Sequence, residues 1–330
     1  MAVALTSALT DRIGASPVLE LAATERTALE ALARSVGQTS PGLVDDNAWL
    51  ARARLAGCRL PAELTGVIRG FRYDAGIDGT LTVTNLPTAD TLPPTPIVPD
   101  SVERTATLPA TIAVLLAQQL GEVIAYREEK FGALVQNVVP VPSLAVSQSN
   151  GGSVPLELHT ENAFHPDRPD YVGLLCLRPA HEGGVGTHVA PVRRALALLG
   201  EKDRAILHEA RFVTSAPPSF HLAQQTDPHP ILSGAVEDPD ICVDFHATSA
   251  ADDEAAAAMI RLREALMKVR ADLILRPGTM VFLDNRLVVH GRGAFVPRYD
   301  GSDRWLHRVF VKLDHRRTRV HRIDGGPVLA

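Results

Sequence analysis

The sequence predicts a mainly β fold with helical decoration, its core a double-stranded β-helix (jelly roll, cupin-like). Two observations carry this. Many short apolar stretches of its 330 residues are bounded by Gly, Pro, Asn or Asp, which reads as short strands joined by turns. A few other stretches carry apolar residues at helical spacing. A closed β architecture of this kind holds a small-molecule cavity lined by inward-facing side chains. The expected organisation is a single domain over 1–330: an N-terminal helical and strand extension (1–109), a jelly-roll core (110–313) and a tail (314–330).

In order, Leu29, Leu32 and Ala33 predict a helix over Thr24–Val36, ended by Gly37, and a shorter helix follows over Val44–Leu55. Gly66–Tyr73 and Gly79–Leu86 read as strands. Six prolines between 87 and 109 mark an extended loop. Pro109 opens a long helix running to about Glu129, striped by Ile112, Leu115, Leu116, Leu120 and Ile124. Val135–Val141, Leu144–Gln148 and Tyr171–Leu177 read as strands. Gly183-Gly184-Val185-Gly186 reads as a turn into another strand. It lacks the Lys-Ser/Thr ending of a phosphate loop, so a nucleotide reading is rejected. Helices are expected over Pro191–Leu199 and Asp203–Glu209, and strands over Phe212–Ser215 and Ile241–Phe245. Ser249 is the expected N-cap of a helix to about Val269. A meander of three strands leads to His290, Asp284-Asn285 being read as a turn, and Trp305–Leu313 is the last core strand. The basic stretch His315–Arg319 is expected to be solvated.

The formal net charge of −5 argues against an electrostatic nucleic-acid binder. Cys58, Cys176 and Cys242 are far apart and form no C-x-x-C pair, which fits a reducing compartment. The first residues carry no basic stretch followed by a long apolar one, and no run of 18 apolar residues occurs. The expectation is a cytoplasmic protein with a small-molecule partner, no nucleic acid and no membrane.

The chemistry gathers around Leu156-Glu157-Leu158-His159-Thr160-Glu161-Asn162. On a strand, His159 and Glu161 share a face because side chains repeat every two residues. Such an H-x-E pair is common by chance, but Val289-His290-Gly291-Arg292 supplies a second imidazole. Two His and one carboxylate with open positions form the facial triad of non-haem Fe(II) oxygenases. Further on, Arg304, Leu306, Arg308 and Phe310 share one strand face. Two inward guanidiniums are costly unless each meets an anion, so this face offers seats for two carboxylates. The competing reading leaves both arginines in solvent or paired with Asp303 and Asp314. Lone histidines such as His221, His246 and His307 read as structural or surface groups, and Cys176 as a buried small hydrophobe.

These motifs, with Val146-Ser147-Gln148-Ser149-Asn150, Thr187 and Asp244, resemble the clavaminate synthase-like branch of the Fe(II)/2-oxoglutarate-dependent dioxygenases. Within it the chain is most similar to free L-amino-acid (arginine and asparagine) 3-hydroxylases of peptide-antibiotic biosynthesis. The likeness spans roughly residues 110–312, and the His-x-Glu spacing fits this branch. It implies that His159, Glu161 and His290 bind Fe(II), and that 2-oxoglutarate and O2 are co-substrates. It implies that Arg304 pairs with the distal carboxylate of 2-oxoglutarate while Thr187 hydrogen-bonds it. Arg308 would hold the substrate α-carboxylate, Asp244 the substrate side chain, and Ser149 or Asn150 the pocket wall. Either Glu128 or Glu129 would meet the α-amino group, with Glu129 preferred. Arginine hydroxylases of this branch place two acids against the guanidinium, whereas here Cys242 stands at the companion position. The expectation is hydroxylation at carbon 3 of arginine or an arginine-like amino acid. Lysine, citrulline and asparagine stay open, as do carbon 4 and desaturation. A metal-dependent hydrolase and a non-catalytic jelly-roll binding protein are the alternatives of another class.

Overall fold

The structure, a computed structural model, describes residues 17–181, 185–217, 220 and 224–330. The chain runs through β1 (Val18–Glu20), α1 (Ala23–Gly37), α2 (Asn47–Ala56), α3 (Ala62–Tyr73), β2 (Thr80–Thr84) and β3 (Val102–Glu103). Then come α4 (Leu108–Ala117), β4 (Glu122–Tyr126), β5 (Val135–Val138), β6 (Leu156–His159), β7 (Tyr171–Arg178) and β8 (Thr187–Pro191). Short helices α5 (Val192–Ala195) and α6 (Glu201–Leu207) precede β9 (Phe212–Thr214), β10 (Leu232–Gly234), β11 (Pro239–Ile241) and β12 (Thr248–Ala250). The remainder is α7 (Asp253–Val269), β13 (Ala271–Leu273), β14 (Met280–Asp284), β15 (Val288–Arg292), β16 (Trp305–Lys312) and β17 (Val328–Leu329).

Two sheets carry the architecture. The larger has the order β1-β2-β14-β7-β16-β4-β17, with β5 on the same edge of β16 as β4 and β3 beyond it. The smaller has the order β13-β8-β15-β6. Side chains from β7 and β16 of the first and from β6, β8 and β15 of the second line one cavity, so the sheets face each other across it. The outer face of the large sheet is covered by α4, which packs on β16, β7 and α1. That sandwiching explains why α4 is apolar all round and why β7 and β16 are buried on both faces. Among the described residues no helix is long and apolar enough to cross a membrane.

Four local expectations are corrected. Gly66–Tyr73 belongs to helix α3, because Leu64, Ile68 and Phe71 sit on one helical face while Gly66 and Gly70 face open space. The long helix expected to reach Glu129 stops at Ala117. Gly121 then passes so close to β16 that a Cβ there would lie 2.6 Å from the Lys312 carbonyl oxygen, and the chain returns as β4. Leu144–Gln148 is not a strand but a 3-10 turn followed by tight turns along the cavity wall. Ser249 lies in β12, and the N-cap of α7 is Asp252, whose side chain accepts from the Ala255 amide. The basic stretch after β16 is exposed apart from buried Thr318. Beyond it β17 pairs in parallel with β4, so the tail joins the sheet. The glycine turn at 183–184 and His221 lie outside the described residues.

The register that matters most is between β15 and β6, where His290 lies opposite His159 and a bulge follows before Arg292. Gly291 sits in that bulge. A Cβ there would be 2.5 Å from the Leu156 carbonyl oxygen, which no side chain tolerates without moving backbone. Gly291→Ala is therefore expected to cost on the order of 2–3 kcal/mol in urea unfolding. Gly200→Ala, where a Cβ meets open space, serves as the neutral comparison.

Candidate active site

One cavity of about 1020 Å³ receives His159, Glu161, His290, Thr187, Arg304, Arg308, Asp244, Glu129, Ser149 and Asn150. Its apolar walls include Val138, Val139, Val141, Leu174 and Leu306. Glu128 lies outside it, half-exposed and paired with Arg127.

The rings of His159 and His290 lie 4.4 Å apart, centroid to centroid, because β6 and β15 place them opposite each other. Glu161 is not on the strand, which ends at His159. Its peptide is instead clamped by the Asn285 carboxamide: the Glu161 amide donates to Asn285 Oδ1 at 2.8 Å, and Asn285 Nδ2 donates to the Glu161 carbonyl at 3.1 Å. The Asp284-Asn285 turn is thus also a scaffold for the carboxylate, a role the sequence reading missed. A side chain with both a donor and an acceptor, buried in a tight turn, is the only signal that could have found it.

The donor set fits a divalent iron. One ligand atom from each of His159, Glu161 and His290 lies within 4.8 Å of the others. His159 Nδ1 contacts the Glu157 carbonyl at 2.9 Å; with the proton on Nδ1, the Nε2 lone pair is free. His290 Nε2 approaches Glu161 Oε2 at 3.2 Å. Burial and the neighbouring His159 lower the His290 pKa and keep it neutral, as a ligand must be. Burial alone would raise the Glu161 pKa, but Arg308 and His290 outweigh it and hold the carboxyl well below the usual range. A second group, His181, Asp300 and Asp303, also comes together. There the Asp303 carboxylate is taken up by the Arg298 and Tyr299 amides, at 2.8 and 2.5 Å, and it reads as a loop cap.

Arg308 is almost fully buried and carries a dense set of partners. It donates to Glu161 Oε1 at 2.7 Å, to Glu129, and to Gln136 Oε1, here from Nε at 3.1 Å. Burial disfavours its charge, yet Glu129 and Glu161 together raise its pKa. Arg304 differs: it is buried, and no hydrogen bond or ion pair to it occurs among the described residues, so burial lowers its pKa to about 10. A buried cation without a counter-ion is a seat for an anionic ligand. Asp244 bridges to His159 through the backbone, and its Oδ1 accepts from the His246 and Ala247 amides at 2.8 and 3.2 Å. Among the described residues its other oxygen has no hydrogen-bond partner. Cys242 does not line the cavity; its thiol donates to the Ala163 carbonyl at 3.3 Å. Ser149 Oγ, which also lines the cavity, is buried without a hydrogen-bond partner among the described residues.

A facial cluster of two imidazoles and a carboxylate, with an unpaired guanidinium nearby, in a cavity between two sheets defines a mononuclear non-haem iron oxygenase. The family model for the taurine catabolism dioxygenase TauD, TfdA family matches residues 115–310, and the chain belongs to that family. It is 44% identical over 303 residues to an L-asparagine oxygenase of Streptomyces coelicolor, covering 91% of each chain. It is 35% identical over 326 residues to an L-lysine 3-hydroxylase of Catenulispora acidiphila, covering 96% of this chain and 89% of the relative. The solved structure of asparagine oxygenase with Fe(II), 2S,3S-3-hydroxyasparagine and succinate superposes with a TM-score of 0.93 at 42% identity, covering 94% and 98% of the two chains. This protein is an Fe(II)- and 2-oxoglutarate-dependent dioxygenase.

Removing one partner of a buried ion pair strands the others. Arg308→Met is expected to cost about 3–5 kcal/mol in urea unfolding of the metal-free protein. Adding Glu129→Gln to that variant should recover part of the loss, since one stranded charge is then gone.

Proposed function

We propose that this enzyme hydroxylates carbon 3 of a free L-amino acid whose side chain ends in an N–H donor, with asparagine as the preferred substrate. The observation that carries the choice is that of positions 242 and 244 only the acid, Asp244, lines the cavity, with one oxygen left over among the described residues, while the Cys242 thiol is turned to the Ala163 carbonyl. One carboxylate oxygen suits one carboxamide NH2, and the unpartnered Ser149 hydroxyl can donate to the carboxamide oxygen. The likeness to the asparagine oxygenase supports the same reading. A second reading, a basic side chain such as lysine or arginine, is favoured by the absence of a cationic partner of Asp244 among the described residues and by the likeness to the lysine 3-hydroxylase. Specialised metabolism, including peptide antibiotics, is the expected setting.

His159, Glu161 and His290 would hold the iron. With 2-oxoglutarate and O2 it supplies the oxidation that inserts one oxygen atom into a C–H bond, while the oxoacid leaves as succinate and CO2. The chain itself does the positioning. Arg304 and Thr187 seat the distal carboxylate of 2-oxoglutarate. Arg308 takes the substrate α-carboxylate and Glu129 the α-ammonium, while Asp244 with Ser149 and Asn150 takes the side-chain end. Held at three points, the amino acid presents one carbon to the metal, and the valine- and leucine-lined walls exclude water. We read the two sheets as a jelly roll and the chain as one domain. Supporting this, buried residues from Leu19 to Leu329 form one hydrophobic cluster.

The decisive measurement is succinate formation from 2-oxoglutarate with Fe(II) across a panel of free amino acids. Asparagine should give the highest rate, with product hydroxylated at carbon 3. Turnover with none of asparagine, lysine, ornithine or arginine would refute the substrate class. Asp244→Ala should reorder the panel, lowering kcat/KM for asparagine by about 10- to 100-fold, in line with roughly 1.4–3 kcal/mol for a hydrogen bond to a charged group. An unchanged profile would remove Asp244 from the side-chain subsite.

A further inference from the structure

Next to Arg304 lies a second buried guanidinium to which the assigned roles give no work. Arg292 lines the same cavity and is 4% exposed. Its Nη2 donates to the Val154 carbonyl at 3.0 Å and its guanidinium stacks on the Phe295 ring at 4.9 Å. Its Nε is buried and has no partner, and no carboxylate pairs with it among the described residues. Arg292 lies opposite Thr187 in the β15–β8 ladder, so the two side chains are neighbours at one spot on the cavity wall. The bulge at Gly291 sets its direction relative to His290. Burial, and then the adjacent Arg304, lower its pKa to about 9, so two uncompensated cations stand side by side.

We propose that Arg292 is a second guanidinium of the oxoacid subsite, binding the same distal carboxylate as Arg304 and making the site selective for a dicarboxylate. This rests on the 2-oxoglutarate reading above. Two cations that repel each other in a desolvated wall are a strained arrangement that a carboxylate relieves and a neutral chain end does not. A carboxylate has enough lone pairs for Arg304, the free Nε edge of Arg292 and the Thr187 hydroxyl at once.

The test is calorimetric titration of the Fe(II)-loaded protein, without oxygen, with 2-oxoglutarate and with 2-oxovalerate, which has the same chain length but lacks the distal carboxylate. Arg292→Met should weaken 2-oxoglutarate binding at least tenfold and change 2-oxovalerate binding less than twofold. Arg292→Lys should show a smaller loss, again for the dicarboxylate alone. Unchanged 2-oxoglutarate affinity, or equal weakening of both oxoacids as a purely structural role would give, overturns the proposal. If Arg292→Met does not fold, the lysine variant decides by the same ratio. A wild-type protein that fails to bind 2-oxoglutarate refutes the functional reading itself, which is a separate result.

Discussion

The structure turns on one buried charge. Arg308 projects from the middle of the large sheet into a cavity whose walls are mostly apolar, where an isolated guanidinium would cost several kcal/mol. Its compensation comes from two carboxylates on other elements, Glu161 on the turn after β6 and Glu129 on the turn after β4. Under the proposed roles, that arrangement ties the metal-binding edge to the substrate-binding edge. Glu161 presents one oxygen to His290 and the other to Arg308. A substrate carboxylate seated at Arg308, as proposed, would meet a group already engaged with Glu161. Binding at one edge and ligation at the other are linked through a single carboxylate.

The small sheet supplies the complementary constraint. Pairing of β15 with β6 sets His290 against His159, and the bulge at Gly291 lets two residues of β15 face the cavity with different aims. The Asn285 carboxamide fixes Glu161 where no strand does, spanning to the Pro169 carbonyl as well, so the loop after β14 and the loop before β7 are locked together behind the ligand. The three candidate ligands thus come from three differently restrained segments. Such a site is pre-formed by the protein rather than assembled by the ion.

The chemistry of the cavity was far more legible in the sequence than the elements that carry it. His159, Glu161, His290, Arg304 and Arg308 could be picked out because the H-x-E spacing, a second histidine and two arginines on one strand face are visible in one dimension. Helix α3 was misread as a strand although Leu64, Ile68 and Phe71 recur at helical spacing, and Gly66 and Gly70 within it only meet open space. The region after α4 was misread because Leu120 and Ile124 keep a helical stripe in sequence while the backbone turns at Gly121. What made Gly121 and Gly291 obligatory is the approach of a distant backbone, which no local pattern records. Arg292 and Asn285 were passed over for a related reason: their significance lies in which neighbours they have or lack in space.

The distribution of charge also orders the occupants of the cavity. Under the proposed roles, one end holds Arg292 and Arg304 with no acid, and the other holds Arg308 with Glu129, Glu161 and Asp244. Lys130 also lies beside Glu129 and Arg308, so a dicarboxylate placed at the second end would face three anions for two cations. A zwitterionic amino acid placed at the first would bring its ammonium against two guanidiniums. Each exchange puts like charges together in a poorly solvated space, where their repulsion is least screened. The two small molecules share carboxylate chemistry, yet the proposed assignment of ends keeps the larger share of like charges apart. Under the proposed roles, that asymmetry would orient both molecules relative to the metal.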